Sequence, residues 1–162
     1  MNLTVGRACP QRAESDVFHA RRAARRDGLA ALAGATPVAV ELETATETAP
    51  LVLPDLKSAT RTASFGATDA LAALATDGSL LLSLVYRGSW GPIRVAIELN
   101  GFQVAGPADV RMLTGEVPWA ANTLERPEAI KPLDKTVGVR DGKIELDVLP
   151  FTLLRVRIPA QQ

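Results

Sequence analysis

From Pro37 onward the chain is a succession of short apolar runs, each closed after about ten residues by a turn-forming cluster. PVAVELE sets Val38, Val40 and Leu42 against Ala39, Glu41 and Glu43. That period of two is what a strand produces, because successive side chains leave opposite faces. SLLLSLVY, residues 79–86, is a near-continuous apolar run between DG and RGS, which predicts a central strand covered on both sides. PIRVAIEL places Ile93, Val95, Ile97 and Leu99 on one face and Arg94, Ala96 and Glu98 on the other. The intervening RGSWG reads as the loop of a hairpin joining these two strands. ADVRMLTG, KTVGVRDGKIELDVLP and FTLLRVRIP continue the pattern, with Asp141-Gly142 a two-residue hairpin signal between VGVR and KIELDV. In the last run Phe151, Leu153, Val156 and Ile158 read as apolar, with Arg155 and Arg157 facing out. No helical segments alternate with these strands, which disfavours a parallel α/β architecture. The expected fold is all-β: an antiparallel, jelly-roll-like β-sandwich over residues 37–162.

Residues 1–36 have a different character. AESDVFHARRAARRDGLAALAG is rich in alanine and arginine, which are good helix formers, with Ser15 placed to cap the start and Gly28 and Gly34 placed to stop it. A short helical N-terminal extension is therefore expected over residues 1–36. The opening MNLTVGRACPQRAES lacks the apolar core of a secretory signal, and no apolar run approaches the roughly 18 residues of a membrane helix. The lone cysteine, Cys9, cannot form an internal disulfide, so a cytoplasmic setting is expected. Eighteen basic residues balance eighteen acidic ones, leaving no global attraction to nucleic acid or to an anionic membrane.

Little in the chain suits catalysis. The single histidine, His19, excludes a multi-histidine metal site within the chain. A Ser-His-Asp triad, or a Cys9–His19 pair, would have to be built in the N-terminal extension without a rigid frame. No phosphate-binding or dinucleotide-binding glycine motif is present. No catalytic residue, metal or cofactor is expected. RRAARR, residues 21–26, reads as a solvated helix face rather than a nucleic-acid patch, with only Phe18 nearby for stacking. Glu41, Glu43, Glu98 and Glu145 sit at outward strand positions, which suits solvated faces better than a glycosidic carboxylate pair. Tyr86, Trp90 and Trp119 could form a sugar-stacking platform, but plugs at the ends of the core are the preferred reading. WAANTLERPEAIKP, residues 119–132, is a proline-punctuated loop expected to cross one end of the sandwich, tied down by Trp119 and Ile130.

That loop carries a family resemblance. Asn122, Thr123, Leu124, Glu125, Pro127, Ile130 and Pro132, followed by a strand pair and a turn at Leu149, Pro150, Phe151 and Thr152, resemble the end of the α-L-arabinofuranosidases of glycoside hydrolase family fifty-one. VLPDLKSATRTAS, with Pro54, Leu56, Ser58, Ala59 and Thr60, is similar to a further segment of that family, and SLLLSLVYRG to one of its strands. Tyr86 stands where the family usually has asparagine. GATPVAVELET resembles the linker that leaves the catalytic barrel, so the similarity covers most of residues 34–159, and VFH is weakly similar to the last barrel helix. In the family, the acid/base glutamate follows an asparagine on a TIM barrel. Here Asn2, Asn100 and Asn122 precede leucine, glycine and threonine, and 162 residues are too few for a barrel of about 250. The resemblance thus implies a C-terminal β-sandwich without its enzyme, inactive alone, with residues 1–36 containing a remnant of the last barrel helix. The implied partner is a catalytic TIM barrel, in cis or in trans, with arabinose-containing oligosaccharides reached through it. No substrate-binding residue can be singled out. A stand-alone carbohydrate-binding module for arabinose-containing polysaccharides is the alternative.

Overall fold

The computed structural model describes residues 2–5, 34–51, 61–88 and 91–161. Its elements are all strands: β1 (Asn2–Val5), β2 (Thr36–Leu42), β3 (Thr46–Leu51), β4 (Arg61–Gly66), β5 (Thr68–Leu74), β6 (Leu80–Tyr86), β7 (Ile93–Leu99), β8 (Ala108–Thr114), β9 (Leu133–Val137), β10 (Lys143–Val148) and β11 (Thr152–Ile158). Nine form one sheet in the order β10-β7-β1-β2-β5-β6-β11-β8-β9, and β3 and β4 form a separate hairpin. Every pairing is antiparallel except that of β1 with β2, where Asn2 to Val5 run alongside Ala39 to Leu42. No helix among the described residues is long and apolar enough to cross a membrane.

One core is drawn from both halves of the sheet. Val95 and Ile97 on β7 and Ile144, Leu146 and Val148 on β10 join Leu80, Leu82, Leu84 and Tyr86 on β6, with Leu154, Val156 and Ile158 on β11. Leu82, Leu84, Ile97, Ile144 and Leu154 are fully buried. Each such side chain removes enough apolar area from water to stabilise the fold by about 1.5–3 kcal/mol. The buried positions recur every second residue on β7 and β10, as their alternating sequences require.

Several expectations need correction. The anticipated helical extension is not seen: residues 2–5 are strand, and the segment expected to be helical, residues 15–34, lies outside the described residues except for Gly34. β6 and β7 are not a hairpin. β6 pairs with β5 and β11, whereas β7 pairs with β1 and β10. Both strands bury apolar side chains in the shared core, so they belong to opposite halves of the sheet. The turn at Asp141-Gly142 does form, with φ of 49° and 70° and reciprocal backbone hydrogen bonds between Arg140 and Lys143 of 3.0 and 2.8 Å. The strands then part, β9 going to β8 and β10 to β7. In β11 the buried set is Thr152, Leu154, Val156 and Ile158, so Leu153 shares the outer face with Arg155 and Arg157. Phe151 is displaced from the strand altogether. It occupies the left-handed region at φ 55°, directly after Pro150, the residue order of a type II turn but with phenylalanine where glycine is usual.

Candidate functional site

The pairing registers assemble two adjacent rows on the outer face of the sheet. Arg155 lies opposite Ser83 on β6 and Arg111 on β8, and Arg111 lies opposite Asp134 on β9. One step along, Arg157 lies opposite Leu81 and Asp109, and Asp109 opposite Thr136. Like charges placed directly opposite on neighbouring strands repel, so the Arg155–Arg111 pair needs compensation. Asp134 supplies it: Arg111 Nε and Nη2 donate to its two carboxylate oxygens at 2.6 and 2.8 Å. The Arg111 hydrogen bond is the main reason the Asp134 carboxyl is held below its usual range, and the charges of Arg111 and Arg155 add to the effect.

The turn after β5 closes one end of these rows. Asp77 accepts bonds from the Ser79 backbone N–H and hydroxyl at 3.0 and 2.6 Å and pairs with Arg157. The Ser79 hydroxyl is also the first cause of the lowered Asp77 pKa. Together these side chains line a cleft of about 650 Å3, with Thr76 and Lys135 on its walls. Its lining contains no aromatic residue.

A second polar cluster sits at the base of the β3–β4 hairpin. Arg87, just after β6, donates to the Gly66 carbonyl at 2.9 Å, pairs with Asp69 at 2.6 Å, and stacks over the Phe65 ring at 5.7 Å. Its backbone N–H donates to the Ala67 carbonyl at 2.8 Å. Thr44 Oγ1 accepts the Thr68 N–H at 3.0 Å, and the Ala67 N–H donates to Ala45. Glu47 enters the same cluster, where burial pushes its carboxyl up against the opposing pull of Arg87. Glu47 Oε1 and Arg87 Nε are buried without a hydrogen-bond partner among the described residues.

The residues anticipated from sequence fare unevenly. Cys9, His19, Arg21 to Arg26 and Trp90 lie outside the described residues. Tyr86 is fully buried, its hydroxyl donating to the Gly91 carbonyl at 3.0 Å, so it presents no ring for sugar stacking. Glu41, Glu43 and Glu145 are exposed, and half-buried Glu98 pairs with Lys143 at 2.7 Å. Trp119 does not tie down its loop; it is 59% exposed. The clamp is Asn122, whose side-chain amide donates to the Ile130 carbonyl at 2.9 Å and accepts the Ile130 N–H at 2.7 Å. Asparagine carries the donor and acceptor needed to imitate a strand partner; tryptophan has only a donor. The outer-face cluster had a partial sequence signal, since Arg155 and Arg157 were legible as outward. Their meeting with Arg111 and Asp134 depends on register.

No protein-family model and no curated protein matches the chain at a significant level. Solved structures do. An α-L-arabinofuranosidase of GH51 from Thermotoga petrophila RKU-1 matches with a TM-score of 0.55 and 24% identity, over 72% of this chain and 24% of that one. The GH51 arabinofuranosidase from Xanthomonas axonopodis pv. citri matches at 0.52 and 18%, over 59% of this chain and 20% of that one. A family 51 enzyme from Bifidobacterium longum matches at 0.51 and 24%, over 59% and 19%. The chain thus has the fold of one portion of the GH51 α-L-arabinofuranosidases, a portion spanning about a fifth to a quarter of those enzymes' length.

Proposed function

We propose that this chain is the accessory C-terminal β-sandwich of an α-L-arabinofuranosidase, without catalytic residues of its own. It packs against a catalytic TIM barrel and supports an enzyme that releases terminal α-L-arabinofuranosyl residues. The observation that carries this reading is the asymmetry of coverage: most of this chain superimposes on a small fraction of each enzyme. Exposed apolar side chains point the same way. Trp119, Leu124, Leu133 and Leu149 are 59%, 97%, 59% and 53% exposed, as suits a surface that meets another domain. Cys9, the single cysteine, fits a reducing compartment such as the cytoplasm.

The test is reconstitution. A GH51 barrel deprived of its own sandwich is co-expressed with this chain and assayed on a chromogenic arabinofuranoside. Co-elution with recovered activity is expected, weakened when Trp119 and Leu124 are changed to serine. A barrel equally active without the chain, and no co-elution, would sink the proposal. Turnover by the purified chain alone would overturn the assignment of an inactive domain.

A further inference from the structure

The outer-face cleft has a composition that the accessory role does not require. Four cationic side chains, Arg111, Lys135, Arg155 and Arg157, face three carboxylates, Asp77, Asp109 and Asp134, in one cleft. Two of the carboxylates hold two of the arginines outstretched: Asp134 grips Arg111 through both oxygens, and Asp77 pairs with Arg157. Arg155 stands between them, opposite Arg111 and two residues from Arg157 on the same strand. Each neighbour is thus held in place around a central guanidinium, on rigid strands rather than on a loop.

We propose that this cleft binds a sugar acid, with the carboxylate of a uronate residue seated on the Arg155 guanidinium. A planar guanidinium fork matches a carboxylate with two parallel hydrogen bonds, and lysine cannot reproduce that geometry. Asp109, Thr76, Thr136 and Lys135 provide donors and acceptors around the fork for ring hydroxyls. The volume, about 650 Å3, falls in the range of small-ligand sites. A neutral sugar is the poorer fit, because such sites use aromatic faces for stacking and this lining has none. The choice of a sugar acid over any other carboxylate rests on the arabinofuranosidase reading, since the plant polysaccharides that carry arabinose also carry uronates.

The test is a titration of the full-length, isotopically labelled chain followed by backbone amide shifts. The probes are trigalacturonate, neutral arabinotriose and citrate. Trigalacturonate is expected to shift amides at Asp109 to Arg111, Asp134 to Thr136 and Arg155 to Arg157, with weaker binding as salt rises from about 50 to about 500 mM. Arg155→Gln is expected to weaken binding about tenfold or more, the size of one lost charge-assisted pair. Arg155→Lys should recover little of it. Arg157→Gln provides a second variant should Arg155→Gln fold poorly, and it is expected to weaken binding as well. Absence of shifts at about ten millimolar trigalacturonate, or equal binding by either arginine variant, would overturn the site. Equal shifts with arabinotriose would overturn the dependence on charge, and equally tight binding of citrate would overturn the sugar-acid assignment. None of these outcomes bears on barrel docking, which reconstitution tests separately.

Discussion

Glu47 shows how one side chain can work against the fold that contains it. Its Oε1 is buried without a partner, and an unsatisfied buried polar group costs about 1–3 kcal/mol. Burial raises its folded-state pKa above the ordinary 4.5. The folded chain therefore holds that proton more tightly than the unfolded chain. The stabilising contribution is fully present below about pH 4.5 and is lost as pH rises through the raised value. Glu47→Gln is accordingly expected to gain melting temperature over the natural chain between about pH 4 and pH 7, measured by thermal scans at each pH. Asp77 and Asp134 act in the opposite direction. Their lowered values stabilise above the ordinary 3.8, and the benefit fades as pH falls through the lowered values. Asn122 is a purely local device. Asn122→Ala removes two hydrogen bonds in an exposed loop, so the loop should become open to trypsin at Arg126 and Lys131 while the melting temperature changes little.

At the level of elements, Arg87 decides how the β3–β4 hairpin attaches. Its guanidinium reaches Gly66, Asp69 and the Phe65 ring. Arg87→Ala is expected to cost about 2–4 kcal/mol, by removing hydrogen bonds to a charged group and leaving Glu47 buried without a nearby cation. Hydrogen exchange should then quicken in residues 46–66 while β6 and β11 stay protected. The sequence made some of these elements legible and concealed others. β6, β7 and β10 could be read because leucine, isoleucine and valine mark their buried faces strongly. β5, TDALAAL, could not, since alanine signals burial weakly and is depleted in strands. Partnership was the larger difficulty. Alternation in β7 shows which face is buried, but the same pattern serves a strand paired with β6 and one packed across the core from it. For the same reason Arg155 and Arg157 could be seen to point outward, while Arg111 and Asp134 could not be placed beside them.

On the scale of the whole molecule, both halves of the sheet stabilise each other through one core. Leu154 is fully buried and belongs to that common cluster. Leu154→Ala should cost about 2–5 kcal/mol, the usual range for such a cavity. It should lower the melting of both halves together, as one transition with coincident far-ultraviolet and fluorescence signals. The strand β1 has a related consequence for anyone trimming the chain. It fills the space between β7 and β2, pairing with both through four residues at the very start. A protein begun at Pro37, where composition suggests a domain boundary, would leave two open sheet edges facing each other, each a row of unpaired backbone donors and acceptors. Such edges recruit strands from other molecules. The shortened protein is expected to form oligomers or aggregates by light scattering, and a synthetic peptide of residues 1–6 should suppress them by adding the missing strand from outside.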